Sequence, residues 1–361
     1  AFADFSQEGR PLPALSALLG SVHDIERLVT RLSLGRGGPR ELRSLAVSLQ
    51  VLEQLPAVWG KSWESPLLLE LQSALDPMPE LTSSVLAAIR EDSPPDLLDG
   101  GVITEGFDAD LDSLRQARAQ AHQWLAQYQA REAAATGLAV KITHHRVFGY
   151  SLELGRRDAP KAPAHFRRQQ TLKNCERFMT AELEEFQNRI LEARERAVER
   201  EKEIYAGLAA LAVERIGVIQ ERSRALAELD VLVGLALRSQ EGSWVLPELA
   251  EGGVLEIKGG RHPVVEAHLP RGGFVGNDLL LSAEKTLLVL TGPNMAGKST
   301  YIRQAAILVI MAQMGMPVPA DSMGWDPIDR VHTRIGSADE IARGQSTFMV
   351  EMAECAHILR S

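Results

Sequence analysis

A glycine-rich loop, Gly292 to Thr300, carries the clearest chemistry in the sequence. It reads Gly-Pro-Asn-Met-Ala-Gly-Lys-Ser-Thr, and its spacing fits the Walker A pattern, in which glycines let backbone N–H groups surround phosphate oxygens. In such a loop Lys298 reaches the β- and γ-phosphates, and Ser299 offers its hydroxyl to Mg²⁺. The sequence therefore predicts a phosphate-binding site here, in preference to an ordinary glycine turn.

The segments on either side of the loop support this prediction. Thr286 to Leu290 reads Thr-Leu-Leu-Val-Leu, which predicts a buried strand. A helix is expected from Ser299 to Met314, and its positive N-terminal dipole would point at the bound phosphates. Residues 301–314 are apolar on nearly every face, as expected of a helix packed on a sheet.

Length and composition indicate a globular protein of two or three domains. The chain has 361 residues, 45% of them apolar, and it lacks a run of about 18 uncharged apolar residues, so no membrane span or membrane partner is expected. Cys175 and Cys355 lack the spacing of a disulfide framework or a zinc site, and they suit a reducing cytosol. Because the chain begins without methionine or a signal pattern, we expect a piece of a longer protein.

The negative net charge hides one basic segment. The chain carries a formal charge of −9, yet residues 141–177 contain nine Lys and Arg and three acids, a balance of +6. The rest of the chain therefore carries −15. A charge run is usually a solvated face, and that interpretation stays open beside nucleic-acid binding.

Apolar spacing predicts a helical region before the basic segment. Leucine, valine and isoleucine residues recur at steps of three and four from Leu18 to Leu32 and from Leu42 to Leu55, with a break at Gly35 to Pro39. Shorter helices are expected at residues 67–75 and 81–91, before Pro94-Pro95.

Two long helices are predicted to flank the basic segment. One follows the stripe from Leu111 to Tyr128, and the other starts at Leu183 and runs on toward Leu237. Between them, residues 138–143 and 146–154 read as strands. The simplest arrangement is a small β-rich module at the far end of an antiparallel helical pair.

An α/β nucleotide domain is predicted to begin after Gln240. Glycine pairs then punctuate short strands such as Val254 to Lys258, and a further strand is expected near Arg330 to Ile335.

Several of these stretches together resemble the MutS family of DNA mismatch-repair proteins. The resemblance rests on GPNMAGKSTYIRQ, on the run from Thr333 to Met352 that includes Gly344-Gln-Ser-Thr-Phe348, and on three earlier segments. Those segments are Asp24 to Leu28 with Pro39-Arg40, Gln169 to Arg177, and Gly260 to Val265. Together they cover essentially the whole chain.

The resemblance implies a multidomain fold, α and α/β. Its parts would be a helical core with an ascending lever helix at 1–126, a DNA clamp at 127–180, a returning lever helix with core at 181–245, and an ABC-type P-loop ATPase domain at 246–361. A Walker B strand ending in acids follows in the family, and the sequence stops at Ser361 about where it would begin. We read Asp339-Glu340 as a loop near the nucleotide, so no hydrolytic acid is assigned.

The family also implies a nucleotide site for ATP or ADP with Mg²⁺. The loop residues expected there are Gly292, Pro293, Asn294, Met295, Ala296, Gly297, Lys298, Ser299 and Thr300, with Ser299 as the Mg²⁺ ligand. Phe274 matches the position whose ring stacks on adenine, although the residue alone reads as a core phenylalanine. Ser346 would approach the γ-phosphate held by the opposite subunit, although alone it reads as a routine helix cap. Lys298 and Ser346 are the expected catalytic residues.

The implied partners are mismatched double-stranded DNA, a second copy in a homodimer, and a downstream protein of MutL type. Candidate phosphate contacts in the clamp are Arg146, Arg167, Arg168, Lys173 and Arg177, which would position DNA without reading its sequence. Ser151 departs from the aromatic residue common in relatives. A cytoplasmic, nucleoid-associated location of bacterial type is expected.

Two other classes of protein share some of these features. A non-catalytic DNA- and nucleotide-binding scaffold stays open because no Walker B acid is visible. An SMC-like chromosome ATPase is disfavoured, because those proteins place the loop before their long helices. The histidines at 144, 145, 262 and 332 lack ligand spacing and are expected to be structural.

Overall fold

A computed structural model describes residues 2–5, 7, 10–59, 63–145, 149–293, 296–333 and 347–360. Helices fill most of the chain up to residue 242, and the described residues form two four-stranded sheets. The helices are α1 Phe2–Phe5, α2 Leu12–Leu19, α3 Ile25–Ser33, α4 Pro39–Trp59, α5 Pro66–Ala74, α6 Pro79–Ala88, α7 Ala109–Ala119, α8 Ala121–Thr136, α9 Ala181–Glu214, α10 Ile216–Gly242, α11 Pro263–Ala267, α12 Lys298–Gln313 and α13 Thr347–Arg360. The strands are β1 Lys141–His145, β2 Gly149–Gly155, β3 Arg167–Thr171, β4 Cys175–Met179, β5 Glu248–Leu249, β6 Leu255–Gly260, β7 Asn277–Leu281 and β8 Ser322–Trp325.

The chain divides into two compact units. One unit contains residues 18–58 and 71–226, and the other contains residues 1–17, 59–70 and 227–361. The second unit is therefore built from three separate stretches of the chain. The domain boundaries expected from the sequence stay a prediction.

In the first unit, the 34-residue helix α9 is the longest described element, and at 1.5 Å per residue it spans about 50 Å. Polar contacts fix its second half, and Arg215 that follows it, to other parts of this unit. The Tyr205 hydroxyl donates to the Gly37 carbonyl at 2.8 Å, and Arg215 pairs with Glu80 at 2.7 Å. Burial raises the pKa of Tyr205 to about 12, so this hydroxyl stays protonated as a donor.

The N-terminal part of α9 packs on a small antiparallel sheet with strand order β1-β2-β4-β3. The shared core takes its side chains from α8, from the sheet and from the start of α9, and it includes Leu125, Leu152, Phe178, Leu183 and Phe186. This is the β-rich module on a helical pair that the sequence predicts. Strand β1 begins three residues later than expected, at Lys141, and β2 begins at Gly149.

The second unit contains a mixed sheet with strand order β5-β8-β6-β7. Helix α12 packs on it through one face, with Leu308 and Val309 buried among Leu255, Ile257 and Met323. Its opposite face leaves Ile302 and Ile310 about half exposed, at 54% and 47%. The predicted helix after the glycine loop is therefore confirmed, displaced by one residue at each end.

The long helical stripes are interrupted where a local signal competes with the apolar period. The expected helix from Leu18 to Leu32 is divided, because the Asp24 side chain accepts a hydrogen bond from Arg27 N–H at 2.9 Å and starts α3 as its N-cap. A turn at Gln120 separates α7 from α8, and Arg215 separates α9 from α10.

The predicted buried strand at Thr286 to Leu290 is wrong. These residues form no strand in the described structure, and Leu287 and Val289 are 77% and 74% exposed. The physical reason is pairing: β7 is the last strand at that edge of the sheet, and a strand needs a neighbour for its backbone hydrogen bonds. Likewise, residues 330–333 form no strand, and the remainder of that predicted strand lies outside the described residues.

Candidate nucleotide site and nucleic-acid interface

The glycine loop leads directly into the N-terminus of α12. Gly297 is the N-cap residue in a left-handed conformation, with φ +86°, which favours glycine. Within the described residues no side chain caps this helix, whereas the Thr180 hydroxyl caps α9 by accepting from Leu183 N–H at 3.2 Å. An uncapped helix N-terminus leaves backbone N–H groups available to an anion.

Lys298 folds back onto the loop that precedes it. Its ammonium group donates to the Gly292 carbonyl at 2.6 Å and to the Pro293 carbonyl at 2.5 Å. Both acceptors are neutral, so a phosphate oxygen with its formal charge would make a stronger hydrogen bond to the same donor. Lys298 is thus held against the loop, where a phosphate anion can replace the two carbonyls as its hydrogen-bond acceptor.

The rest of the loop is open to solvent. Ala296, Gly297 and Ser299 are exposed, Thr300 is half-buried, and Gly292 and Pro293 are exposed. The predicted site residues Asn294, Met295 and Ser346 lie outside the described residues. The described parts of the chain hold no cluster of three or more His, Cys, Asp or Glu side chains able to bind a metal ion. The Ser299 hydroxyl therefore fits Mg²⁺ only if phosphate oxygens supply most of the other ligands.

Phe274 lies in the loop that leads into β7, and its side chain is half-buried. The start of β7 touches the beginning of α12, because the Tyr301 hydroxyl donates to the Asp278 carbonyl at 2.8 Å. Burial raises the pKa of Tyr301, and the Asp278 charge adds to the rise, so this donor is protonated at neutral pH. The structure therefore places the start of β7, which follows the Phe274 loop, beside the helix that follows the glycine loop.

His262 has a structural role, as expected from the sequence. Its ring nitrogen Nδ1 accepts a hydrogen bond from Val265 N–H at 3.4 Å and caps α11. Burial lowers the pKa of His262, which favours the neutral ring that this acceptor role requires.

We call the sheet of β1, β2, β4 and β3 the basic sheet, because it spans the positively charged segment of residues 141–177. Within it, Arg177 lies at the centre of a cross-strand row. Lys141, Glu153 and Arg177 are in register on β1, β2 and β4, and Gln170 on β3 pairs with Arg177. The guanidinium donates to Glu153 at 2.8 Å and to Gln170 at 3.0 Å, and its side chain is only 15% exposed. Arg177 therefore stabilises the sheet and has little surface left for a ligand.

Arg167 and Arg168 are more accessible but are paired with acids. Arg167 contacts Glu184 at 2.8 Å and is 65% exposed, and Arg168 contacts Glu176 at 2.8 Å and is 57% exposed. A phosphate would have to compete with these carboxylates. The predicted contact Arg146 lies outside the described residues.

Lys173 lies at an exposed turn between β3 and β4 and makes no ion pair with any described residue. Next to it is the turn after β2, since Arg156 N–H donates to the Asn174 carbonyl at 3.4 Å. Arg156 and Arg157 are exposed there and likewise have no acidic partner in the described ranges. We call these three residues the tip cluster.

The tip cluster contains two residues, Arg156 and Arg157, that the sequence analysis did not name among its candidate phosphate contacts. Arg156 and Arg157 contribute to the positive charge of residues 141–177. The sequence does not indicate, however, that their turn lies next to the turn of Lys173. The antiparallel pairing of Gly155 with Cys175 is what joins the two turns. The opposite end of the strands lies along α9, where Tyr150 N–H donates to Gln187 at 2.8 Å.

Comparison with known proteins adds to this geometry. The family profile described as "MutS family domain IV" matches residues 106–196, which include α8, the basic sheet and the first part of α9. The profile described as "MutS domain V" matches residues 288–361, which include the glycine loop and α12. A protein of Rhodopirellula baltica named "DNA mismatch repair protein MutS" is 43% identical over 349 residues, 96% of this chain.

The chain belongs to the MutS family. It spans 39% of the length of the Rhodopirellula baltica MutS protein. The two MutS profiles cover the basic sheet and the N-terminus of α12. In the described ranges of this MutS-family chain, no helix is both long enough and apolar enough to cross a membrane.

Proposed function

We propose that this chain is the DNA-clamp and nucleotide-binding section of a mismatch-repair ATPase. ATP or ADP binds at the glycine loop, double-stranded DNA binds at the basic sheet, and α9 with α10 connects the two regions as lever helices. The observation that carries the proposal is the uncapped N-terminus of α12 behind a glycine loop with Lys298 folded over it.

Each group at the site contacts a different part of the nucleotide. The backbone N–H groups at the start of α12 bind phosphate oxygens, and Lys298 leaves the Gly292 and Pro293 carbonyls to pair with them. Phe274 stacks on adenine. The Ser299 hydroxyl would hold Mg²⁺, which when bound would neutralise part of the phosphate charge. Lys298 then stabilises charge on the phosphates while water attacks in line.

Nucleotide binding is tested by removing the lysine charge. Lys298→Ala is expected to weaken binding of a fluorescent ADP by at least about tenfold, the usual value of a charge-assisted hydrogen bond to phosphate. Lys285→Ala is the control, because Lys285 is an exposed lysine before the loop. Equal affinity of the Lys298 variant and the native chain rules the proposal out.

DNA binding depends on phosphate contacts from the exposed arginines and lysines of the sheet. Support goes first to the tip cluster, since Arg156, Arg157 and Lys173 pair with no acid among the described residues. Arg167 and Arg168 add contacts by exchanging Glu184 and Glu176 for phosphate, and Arg146 remains a proposed contact. Arg177 contributes by holding the sheet together.

The DNA proposal predicts a change in salt dependence. The slope of log K against log salt is negative, and each lost phosphate contact makes it less steep by about 0.9. Replacing the tip cluster by alanine is therefore expected to make the slope less steep by about 2 to 3. A triple variant of Arg27, Arg36 and Lys202, all exposed and outside the sheet, controls for net charge. An unchanged slope in the tip-cluster variant contradicts the assignment.

The complete site is proposed to form between two copies. Ser346 would face the γ-phosphate bound by the second subunit of a homodimer, and a MutL-type protein would bind the nucleotide-loaded form. The dimer is tested by sedimentation of the native chain and of the Ser346→Ala variant, each with and without ATP. Association independent of nucleotide contradicts it.

The alternative is a non-catalytic section that binds DNA and nucleotide without hydrolysis. The observation in its favour is that the described residues contain no cluster of three or more His, Cys, Asp or Glu side chains able to hold a metal ion. A turnover assay on the 361-residue chain distinguishes the two functions. Phosphate release that requires Lys298 supports the ATPase, and nucleotide binding without release supports the scaffold.

A further inference from the structure

Two arginines of the second unit bind the C-terminal end of α10. Arg261 donates to the Gly242 carbonyl at 2.9 Å and to the Ser243 carbonyl at 3.3 Å. Arg271 donates to the neighbouring Glu241 carbonyl at 3.0 Å. The last carbonyls of a helix lack partners within the helix and carry its negative dipole, so two guanidinium groups stabilise this end.

The two arginines lie at opposite ends of one short segment that contains α11. Arg261 is 14% exposed and also pairs with Glu266 of α11 at 2.6 Å, which fixes the start of the segment. Arg271 is exposed, and it fixes the end of the segment through a single hydrogen bond. The segment is therefore held on α10 at both ends, more loosely at the second.

Arg271 lies in a tight turn that ends next to Phe274. Gly273 N–H donates to the Pro270 carbonyl at 2.8 Å, and Gly272 has φ +76°, as a type II turn requires. A side chain at Gly273 would place its Cβ 2.8 Å from the Pro270 oxygen. Because the turn has little freedom, the position of Arg271 determines where the following residue, Phe274, can lie.

We propose that Arg271 is a positioning residue for the base of the nucleotide. By binding the Glu241 carbonyl, it holds the turn of residues 270–273 against α10 and sets the Phe274 ring in place for adenine. Arg271 does not touch the nucleotide itself. This inference rests on the proposed nucleotide site and adds a residue to it.

The proposal makes a selective prediction. A lost base contact weakens ATP binding but leaves binding of inorganic tripolyphosphate unchanged, because tripolyphosphate uses only the glycine loop and α12. Arg271→Ala is expected to weaken ATP binding by about threefold to tenfold, the effect of one hydrogen bond. Arg271→Lys retains a donor for the Glu241 carbonyl and is expected to recover most of the affinity.

The experiment measures Kd for Mg·ATP and for tripolyphosphate on the 361-residue chain. The variants are Arg271→Ala, Arg271→Lys, Phe274→Ala and the double variant of Arg271 and Phe274. If Arg271 acts through Phe274, its replacement has no further effect once Phe274 is alanine. Arg238→Ala is the matched control, because Arg238 contacts the Glu241 carboxylate at 3.5 Å and not the turn.

The outcomes separate this inference from the proposed function. An equal loss for ATP and tripolyphosphate, an additive loss with Phe274→Ala, or no loss in Arg271→Ala overturns the positioning role. Lys298→Ala tests the site itself, since it weakens both probes if the glycine loop binds phosphate. If both probes bind the native chain and the Lys298 variant equally, the proposed function fails instead.

Discussion

The carboxylate of Glu201 on α9 accepts a hydrogen bond at 2.9 Å from the guanidinium of Arg115 on α7. It also accepts from the backbone N–H groups of Gly101 at 3.0 Å and Val102 at 2.7 Å. Its side chain is 4% exposed, so the charge depends on these three donors for its stability. This buried carboxylate joins α9 to α7 and to the loop that precedes α7.

Replacing Glu201 by alanine is expected to lower the free energy of unfolding by about 2 to 4 kcal/mol. The substitution removes the acceptor of the Gly101 and Val102 N–H groups, and it leaves Arg115 with the Ile103 carbonyl and Asp112 as partners. Urea unfolding followed by circular dichroism measures the loss. Glu203→Ala is the control, since Glu203 is 59% exposed and such surface pairs contribute about 0.5 kcal/mol. Equal stability of the two variants contradicts the role of Glu201.

Glu41 gives the first unit a pH-dependent contribution to stability. Burial raises its pKa, but hydrogen bonds from Gly38 N–H at 2.7 Å and Arg31 at 2.5 Å outweigh burial, so the pKa lies below 4.5. A lowered pKa means that the contribution is present above 4.5 and is lost as pH falls through the folded-state pKa.

The loss of stability in Glu41→Gln is therefore expected to be about 1 kcal/mol at pH 7 and to shrink toward pH 3. Unfolding at both pH values checks the trend. In an Arg31→Met background the pH dependence of the Glu41→Gln effect should be smaller, because Arg31, which helps to lower the pKa of Glu41, has been removed. A loss that grows as the pH falls would contradict the assigned sign.

Gly149, at the start of β2, is expected to resist substitution. It has φ +70°, and a Cβ there would lie 2.2 Å from Gln187 Oε1, the acceptor of Tyr150 N–H. Gly149→Ala should cost about 2 kcal/mol through backbone strain and the displaced glutamine. Gly155→Ala is the matched control at the other end of β2, where a Cβ meets nothing within 4 Å. Thermal unfolding of both variants is the test.

Thr180 connects the end of the sheet to the start of α9. Its hydroxyl accepts from Leu183 N–H at 3.2 Å and lies 2.5 Å from the Tyr128 hydroxyl. Thr180→Ala is expected to cost about 1 to 2 kcal/mol, and Thr180→Ser should recover most of it. Tyr128→Phe keeps the cap and removes the second contact, so a double-mutant cycle in urea separates the two effects. Full additivity would show that the hydroxyl contact adds nothing.

The sequence predicts well those elements that local physics specifies. The three- and four-residue spacing of leucines predicts α4, and the glycine loop predicts both ends of α12 to within one residue. It fails where a single side chain competes with the period, as at Asp24, whose cap divides an apparently continuous helix. Thr286 to Leu290 shows a second limit, because an apolar run specifies a strand only when a neighbour pairs with it.

The same limit applies to the candidate site: its local pattern can be predicted from the sequence, but the contacts made by the fold cannot. Lys298 and its loop are visible as a local pattern, but the sequence does not show that Lys298 is bound by the Gly292 and Pro293 carbonyls. Nor does it distinguish Arg177, which is enclosed by Glu153 and Gln170, from Arg156, which has no acidic partner in the described ranges. Those differences arise from strand register, which no local signal encodes.

The core that unites the basic sheet with α8 and α9 draws its residues from one continuous stretch, Ala121 to Phe186. Closing contacts within a short stretch costs little chain entropy and favours rapid folding. During synthesis, the ribosome releases this stretch long before it reaches Gly292. We therefore expect the basic sheet to have acquired its final shape while the residues of the glycine loop have yet to be joined to the chain.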